Sequence, residues 1–313
     1  MLISASRRCD IPMYCSQWFF RRIREGFALV RNPMNFHQVS RISLLPDVVD
    51  GIVFWTKNPA PMLGRLDELK DYPYCFQFTV TPYDADIEPN IPSKEQFIIP
   101  IFQNLSRKIG PRRVIWRYDP VILSEKYTPW YHLEHFEKFA GLLAPYARSC
   151  TFSFLEMYRN TAKNTQGLNL RAISQEDMVN LAKAFAEIAS AHHLTLNTCA
   201  EQIDLDAHGI SHARCIDKNL FEELRGCGLS IDKDKNQRPE CGCSASIDIG
   251  AYQTCIGGCR YCYANFSPGT AVANFARYDP SSPLLCGTVG PEDVVRARRM
   301  CSCKEPQLNM FGP

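Results

Sequence analysis

The stretch Gly51-Ile-Val-Phe-Trp-Thr-Lys-Asn-Pro59 joins an uninterrupted apolar run to a polar ending that contains a proline. A short apolar run bounded by turn residues is typical of a strand that is buried on both faces. Residues 74–80, which lead into Thr81-Pro-Tyr-Asp84, and residues 114–116, which lead into Arg117-Tyr-Asp-Pro120, have the same form. These runs predict parallel strands whose polar ends gather at one edge of a sheet.

Helical patterns separate the predicted strands. Helices are predicted at residues 17–25, 62–71, 93–108, 133–143 and 175–193, further strands at residues 2–6, 149–154 and 194–198, and a hairpin at residues 27–44. The alternation of strands and helices predicts an α/β fold with a parallel sheet. We expect a partial or complete (β/α) barrel of the TIM type.

After about Glu201 the sequence consists of short pieces rich in cysteine and glycine. We expect residues 1–200 to form the barrel body, and residues 201–313 to form a Cys-rich region that ends in a Pro-containing tail from Lys304. A chain of 313 residues with 45% hydrophobic content can supply one large α/β barrel with an appendage, or two small domains.

Charge and cysteine content limit the classes of function. The net charge of +2, from 35 basic and 33 acidic residues, argues against binding nucleic acid by general electrostatics, although a local basic groove is compatible with it. The chain has 15 cysteines and neither a signal peptide nor a membrane-spanning apolar run. These features predict a cytoplasmic protein with no membrane partner, whose cysteines bind metal more often than they form disulfides.

The most specific motif is Cys255-Ile-Gly-Gly-Cys259-Arg-Tyr-Cys262. Three thiolates at this spacing suit an iron–sulfur cluster, and the lack of a fourth cysteine at short range leaves one iron open to a small molecule. Gly257 and Gly258 allow a tight loop, and Tyr261 could place its aromatic face beside the ligand of the open iron.

This loop resembles the cluster motif of the radical S-adenosylmethionine (radical SAM) superfamily. The resemblance implies a [4Fe–4S] cluster on Cys255, Cys259 and Cys262, SAM as cofactor, reductive formation of a 5′-deoxyadenosyl radical, and an electron donor such as flavodoxin or ferredoxin. In that superfamily the motif usually follows the first barrel strand, whereas here it follows residues 246–252. The whole chain also resembles an uncharacterised family, a domain of unknown function with such a cysteine cluster at its C-terminal end, which implies no substrate.

The middle of the chain resembles the spore photoproduct lyase branch of the superfamily. The similar segments are Phe54-Trp-Thr-Lys-Asn-Pro59, Phe78-Thr-Val-Thr-Pro-Tyr-Asp84, Ile87-Glu-Pro-Asn-Ile-Pro92 and Arg117-Tyr-Asp-Pro-Val121. In the lyase branch these segments follow the cluster motif, whereas here they precede it. We interpret the difference as circular permutation, which requires the strand at residues 246–252 to pair in parallel with residues 2–6.

The lyase resemblance implies that Lys57 and Thr79 contact SAM. Lys57 is a point charge at a strand end and suits the methionine carboxylate. Arg117 and Asp10 also end strands where cofactor or substrate could be reached, but Arg117 could instead form an ion pair with Asp119. The predicted cofactor-binding residues are therefore Lys57, Thr79, Tyr261 and Arg117, and no catalytic residue is assigned.

A second cysteine group precedes the motif. We expect Cys199, Cys215, Cys241 and Cys243 to form an auxiliary four-thiolate site, for which a second [4Fe–4S] cluster and a structural zinc ion are both suitable. Cys227 is a reserve ligand. His208 and His212 could share a helical face as ligands, but solvated histidines are commoner.

Three classes of function remain at this stage. The first is a radical SAM enzyme acting on an unknown substrate. The second is a non-catalytic iron–sulfur or zinc protein, with a closed site that is indifferent to SAM. The third is a nucleic-acid repair or modification enzyme of the photoproduct lyase type, which the net charge does not support. We adopt the first, because it alone accounts for both the cysteine loop and the segments that resemble the lyase branch.

Overall fold

The computed structural model describes residues 1–305, and nearly all of the predicted tail lies outside them. The strands are β1 (Leu2–Ala5), β2 (Phe27–Asn32), β3 (Asn35–Ser43), β4 (Gly51–Thr56), β5 (Tyr74–Thr79), β6 (Val114–Val121), β7 (Ser149–Phe154), β8 (Leu196–Thr198), β9 (Ser211–His212), β10 (Ser246–Asp248) and β11 (Val294–Ala297). The helices are α1 (Ile11–Tyr14), α2 (Ser16–Glu25), α3 (Ile99–Ile109), α4 (Pro129–Leu143), α5 (Arg159–Asn164), α6 (Gln175–Ala191), α7 (Lys218–Arg225) and α8 (Pro268–Phe275). The predicted helix at residues 62–71 is wound as 3-10 turns over Ala60–Leu69.

Eight strands form one parallel sheet in the order β10-β1-β4-β5-β6-β7-β8-β9. The predicted α/β class and parallel sheet are confirmed. Within residues 1–305 the edge strands β9 and β10 do not pair, so the sheet is open and a complete TIM barrel is not found. Strand β9 has only two residues and strand β10 only three, so few backbone groups are available to close the sheet. Both edge strands follow residue 200 and extend the same sheet.

Successive residues of the central strands point to opposite faces, as the pleat requires. One face joins the main core, through residues that include Ile52, Phe54, Phe76, Phe78, Trp116 and Tyr118. The other face packs against α7 and the Cys-rich segment, through Leu2, Val53, Cys75 and Ile115. The central strands are therefore covered on both sides, which explains their uninterrupted apolar runs.

Gly51 lies at the start of β4, directly under α7. A Cβ atom at this position would lie 2.2 Å from Cδ1 of the buried Phe221, whereas a Cβ at Gly64 would meet nothing within 4 Å. We expect Gly51→Ala to lower the free energy of unfolding by about 1–3 kcal/mol through overpacking. Gly64→Ala is the matched control and should change stability little. Equal urea midpoints for the two variants would contradict the packing of α7 on β4.

The strand before the cysteine loop lies beside the first strand. β10 pairs in parallel with β1, with Leu2 opposite Ser246, as predicted. The Asp248 carboxylate fixes the junction, because it accepts hydrogen bonds from Ser4 Oγ at 2.9 Å, Ser6 Oγ at 2.5 Å and the Arg7 amide at 2.9 Å. Parallel pairing brings the end of β10 to the sheet edge at which β1 and β4 end.

A smaller sheet has the order β11-β3-β2, in which the predicted hairpin forms the antiparallel pair β2–β3. Among residues 1–305, no helix combines the length and the apolar character that crossing a bilayer requires.

Candidate functional site

The cysteine loop lies at the carboxyl edge of the large sheet and is held by side-chain amides. Asn265 Nδ2 donates to the Cys255 carbonyl at 2.7 Å, and Asn90 Nδ2 donates to the Ile256 carbonyl at 2.8 Å. Asn164 Nδ2 donates to the Asn265 carbonyl at 2.8 Å. The loop is therefore tied to two distant parts of the chain and to the segment that follows it, and its backbone is positioned independently of the thiols.

Gly258 permits the closest approach of the loop to its neighbours. Its φ angle of +69° lies in the left-handed region, and a Cβ there would lie 3.1 Å from Cγ of Pro89. Since a side chain at this position would be both strained and crowded, glycine allows the loop to pack on the turn that follows Glu88.

The three thiols of the loop are half-buried and affect one another electrostatically. A hydrogen bond with Cys9, together with burial, raises the pKa of Cys255. Burial raises the pKa of Cys259, although Lys57 opposes this shift, and burial with the nearby Cys255 raises the pKa of Cys262 to about 11. Deprotonation of these thiols would therefore require a strongly bound cation.

In the described part of the chain, no three His, Cys, Asp or Glu side chains surround a single metal position. The ligands of a four-iron cube each bind a different iron and so stand farther apart than the ligands of one ion. Three thiols on one loop, with no fourth cysteine on that loop, suit such a cube with an open iron. Buried polar atoms without hydrogen-bond partners also lie on or beside the loop: Tyr14 Oη, Asn265 Oδ1, and both amide atoms of Gln253.

Glu88 is the charged centre of the site, and its side chain is fully buried. Its Oε1 accepts hydrogen bonds from Lys57 Nζ at 2.7 Å, from Thr81 Oγ1 at 2.7 Å and from the Tyr261 hydroxyl. Its Oε2 lies 2.8 Å from Lys94 Nζ. Burial opposes ionisation of Glu88, but the positive charges of Lys57 and Lys94 outweigh it and lower the pKa to about 2.

Lys57 connects the strand end to the cysteine loop. Its Nζ lies 5.4 Å from the centroid of the Tyr261 ring, and its amide donates to Asp10 Oδ2 at 2.7 Å. Asp10 also caps α1 by accepting from the Met13 amide at 3.0 Å, and burial raises its pKa to about 6. Asp10 thereby fixes the ends of β1 and β4 relative to each other.

The other predicted SAM contacts lie in two different places. Thr79 ends β5, is half-buried, and its hydroxyl makes no hydrogen bond to a described residue. Tyr261 lies at the loop, with its hydroxyl on Glu88. Arg117 forms an ion pair with Asp119, the alternative raised from the sequence, and its Nη1 lies 2.9 Å from Cys215 Sγ.

The structure brings together the four cysteines of the predicted auxiliary site. The sulfur atoms of Cys199 and Cys215 lie 3.5 Å apart. Cys243 interacts with both Cys215 and Cys241, and a hydrogen bond from Cys243 lowers the pKa of Cys241 to about 7 against the effect of burial. We refer to Cys199, Cys215, Cys241 and Cys243 as the four-thiol group.

The reserve ligands do not join the four-thiol group. Cys227 follows α7, next to a segment in which the Gly228 carbonyl accepts from the Glu305 amide at 3.0 Å. His208 closes a 3-10 turn, and His212 lies in β9 with Nδ1 3.2 Å from Thr198 Oγ1. The idea that the two histidines share a helical face is therefore wrong, because Gly209, in the left-handed conformation, ends the turn between them.

Sequence reasoning missed several residues of the site. Glu88 lies in the quoted Glu-Pro turn, and that turn was the available signal for it. Lys94 and Tyr14 were not assigned, because no motif marks either residue: Lys94 pairs with Glu88, and Tyr14 lies beside Gly257 of the loop. Cys9 was not assigned to the site from the sequence, yet its thiol interacts with that of Cys255.

Comparison with models of protein families identifies the family of the chain. A model of the family described as "Domain of unknown function (DUF1848)" matches residues 2–264, which include both cysteine groups. The chain therefore belongs to this family. No curated protein and no solved structure matches the chain.

Proposed function

We propose that this protein is a radical SAM enzyme. Cys255, Cys259 and Cys262 would hold a [4Fe–4S] cluster, which when bound supplies the electron for reductive cleavage of SAM. The observation that carries the proposal is the parallel docking of β10 beside β1. It delivers a loop with three thiols to the same sheet edge as Lys57 and Glu88.

The residues around the loop suit the carboxylate of an amino-acid cofactor. Lys57 offers a cation for the SAM carboxylate, and the buried Glu88 positions the Lys57 ammonium by accepting a hydrogen bond from it at 2.7 Å. Thr79 has a hydroxyl available for a polar group of the ligand. The Tyr261 ring lies against the Lys57 ammonium. The proposal includes an electron donor such as flavodoxin or ferredoxin, and it leaves the substrate open.

The strand order supports a permuted relation to the lyase branch. In space β10 comes immediately before β1, which in turn precedes β4 and β5. Read from β10, the order is a strand with the cysteine loop, and then the strands that lead to Lys57 and Thr79. This is the order of the corresponding segments in the lyase branch, so a change in the position of the chain ends is sufficient to relate the two.

A direct test is anaerobic reconstitution with iron and sulfide, followed by reduction with dithionite in the presence of SAM. We expect 5′-deoxyadenosine to form, measured by liquid chromatography with mass detection. Electron paramagnetic resonance of the reduced cluster should change when SAM is added, because SAM would bind the open iron. A reduced cluster whose spectrum is indifferent to SAM would support the non-catalytic alternative.

Lys57→Ala tests the assignment of the SAM carboxylate. We expect SAM affinity to fall by about 10- to 150-fold, or about 1.5–3 kcal/mol, the loss of a charged hydrogen bond. Iron content should not change. Lys94→Ala is the matched control, because Lys94 also pairs with Glu88 but donates to the Tyr83 carbonyl at 2.7 Å. Equal losses of SAM affinity in both variants would show that only the charge of Glu88 matters, and would refute a direct role for Lys57.

A further inference from the structure

The four-thiol group lies where the two open edges of the sheet face each other. Cys199 follows β8, Cys215 follows β9, and Cys241 and Cys243 precede β10. Backbone contacts already connect these segments, since the Ser244 amide donates to the Ile216 carbonyl at 2.8 Å. The Ile216 amide lies 3.4 Å from Cys243 Sγ. The four thiols thus come from three segments that are distant in sequence and that meet across the gap in the sheet.

Two arginines place positive charge against these sulfurs. Arg117 is almost fully buried, and its Nη1 lies 2.9 Å from Cys215 Sγ. Arg7 interacts electrostatically with Cys215, Cys241 and Cys243. The guanidinium carbons of Arg7 and Arg117 lie 5.1 Å and 5.2 Å from the centroid of the Trp55 ring. N–H groups that point at ligand sulfurs are typical partners of a metal–thiolate site.

We propose that Cys199, Cys215, Cys241 and Cys243 bind one zinc ion, which fastens the two edges of the open sheet. Four thiolates make a closed tetrahedral site of the structural kind. With Zn–S bonds of about 2.3 Å, the sulfurs of such a site stand about 3.8 Å apart. The separation of 3.5 Å between the sulfurs of Cys199 and Cys215 is close to this value. The ligands of a four-iron cube are farther apart, and this favours a single ion.

In the described residues no three of these side chains yet surround one metal position, so binding requires the thiols to be redirected. A cysteine thiol turns about a single bond, and Cys243 already interacts with both Cys215 and Cys241. The zinc ion would then link the ends of β8 and β9 to the start of β10. The role is structural and separate from the proposed SAM chemistry, because the ion would leave no coordination position open.

Metal analysis tests the proposal. The protein is purified anaerobically from zinc-supplemented cells, and zinc and iron per chain are measured for the wild type and for Cys241→Ser/Cys243→Ser. We expect about one zinc ion in the wild type and none in the variant, with iron unchanged. Cys227→Ser/Cys286→Ser is the matched control and should keep its zinc. Loss of iron in place of zinc from the Cys241→Ser/Cys243→Ser variant, or a wild type without zinc, would overturn the proposal.

A second measurement does not depend on a folded variant. Progressive mercurial modification of wild-type thiols should release zinc to a chromogenic chelator, at about one ion per chain. Protein grown with cobalt in place of zinc should show the visible absorption of tetrahedral cobalt–thiolate, and Cys199→Ser should change it. Cobalt spectra typical of octahedral oxygen ligation, or no ion released, would contradict the four-thiolate site. Since neither readout involves SAM, failure here is distinguishable from failure of the proposed enzyme function.

Discussion

Replacement of Cys255, Cys259 and Cys262 by alanine is expected to remove about four iron atoms per chain and to abolish formation of 5′-deoxyadenosine from SAM. The reason is that these three side chains supply all the thiolates of the loop, so their removal would leave the proposed cluster without a ligand there. Iron and sulfide counts after anaerobic reconstitution measure the first effect, and product analysis measures the second.

The matched control is another triple variant, Cys227→Ala/Cys301→Ala/Cys303→Ala. These cysteines lie at the amino ends of the parallel strands, opposite the cysteine loop. There the Cys303 amide donates to Asp50 Oδ2 at 2.7 Å, just before β4 begins. The control removes the same number of thiols from positions of similar exposure, and it should keep its cluster. Retention of SAM cleavage in the loop variant would refute the assignment, and so would equal iron loss in both variants.

Glu88→Gln is expected to destabilise the protein by about 3 kcal/mol at pH 7. The change leaves the ammonium groups of Lys57 and Lys94 in a buried site without their shared anion. The glutamine keeps nearly the same shape and can still accept from Thr81, so the loss measures charge compensation. Glu95→Gln is the control, because Glu95 pairs with Lys138 at an exposed position and should cost less than about 1 kcal/mol.

The pH dependence of the unfolding free energy is a second test of the role of Glu88. The pKa of Glu88 in the folded protein is about 2, below its ordinary value of 4.5. Its ion pairs therefore stabilise the fold fully above about pH 4.5, and this contribution is lost as the pH falls towards 2. We expect the difference in unfolding free energy between wild type and Glu88→Gln to shrink over that range. A difference that stays constant from pH 7 to pH 3 would show that Glu88 does not act through its charge.

The sheet was largely predictable from sequence, because its central strands bury both faces. Residues 51–55 and 149–154 are apolar or small throughout, and residues 74–80 are so except for Gln77; few other structures tolerate such runs bounded by polar turns. The helix α6 was equally clear, since Ser174 and Asp177 form a reciprocal cap at its start. The openness of the sheet was not predictable, because strand pairing at an edge depends on backbone groups and leaves little trace in composition.

The site was predictable only in part. The spacing of Cys255, Cys259 and Cys262 indicates a shared ligand directly, and the Cys-Gly-Cys pair at 241–243 indicated a second site. The contact of Arg117 with Cys215 was not predicted, because a strand end has two faces and the sequence does not tell which one a side chain takes. The Glu88 network could not be read from the sequence, since Lys57 and Tyr261 are brought to residues 81–94 only by the fold.

The pairing of β1 with β10 also has a consequence for how the protein is made. Ser4 and Asp248 are 244 residues apart, whereas β1 and β4 to β8 are complete once residue 198 has been synthesised. At about 5–20 residues per second, the strand that precedes the cysteine loop emerges some seconds after the sheet it joins. We therefore expect the rest of the sheet edge to be assembled before the loop docks, so that insertion of the proposed cluster would come late and follow folding.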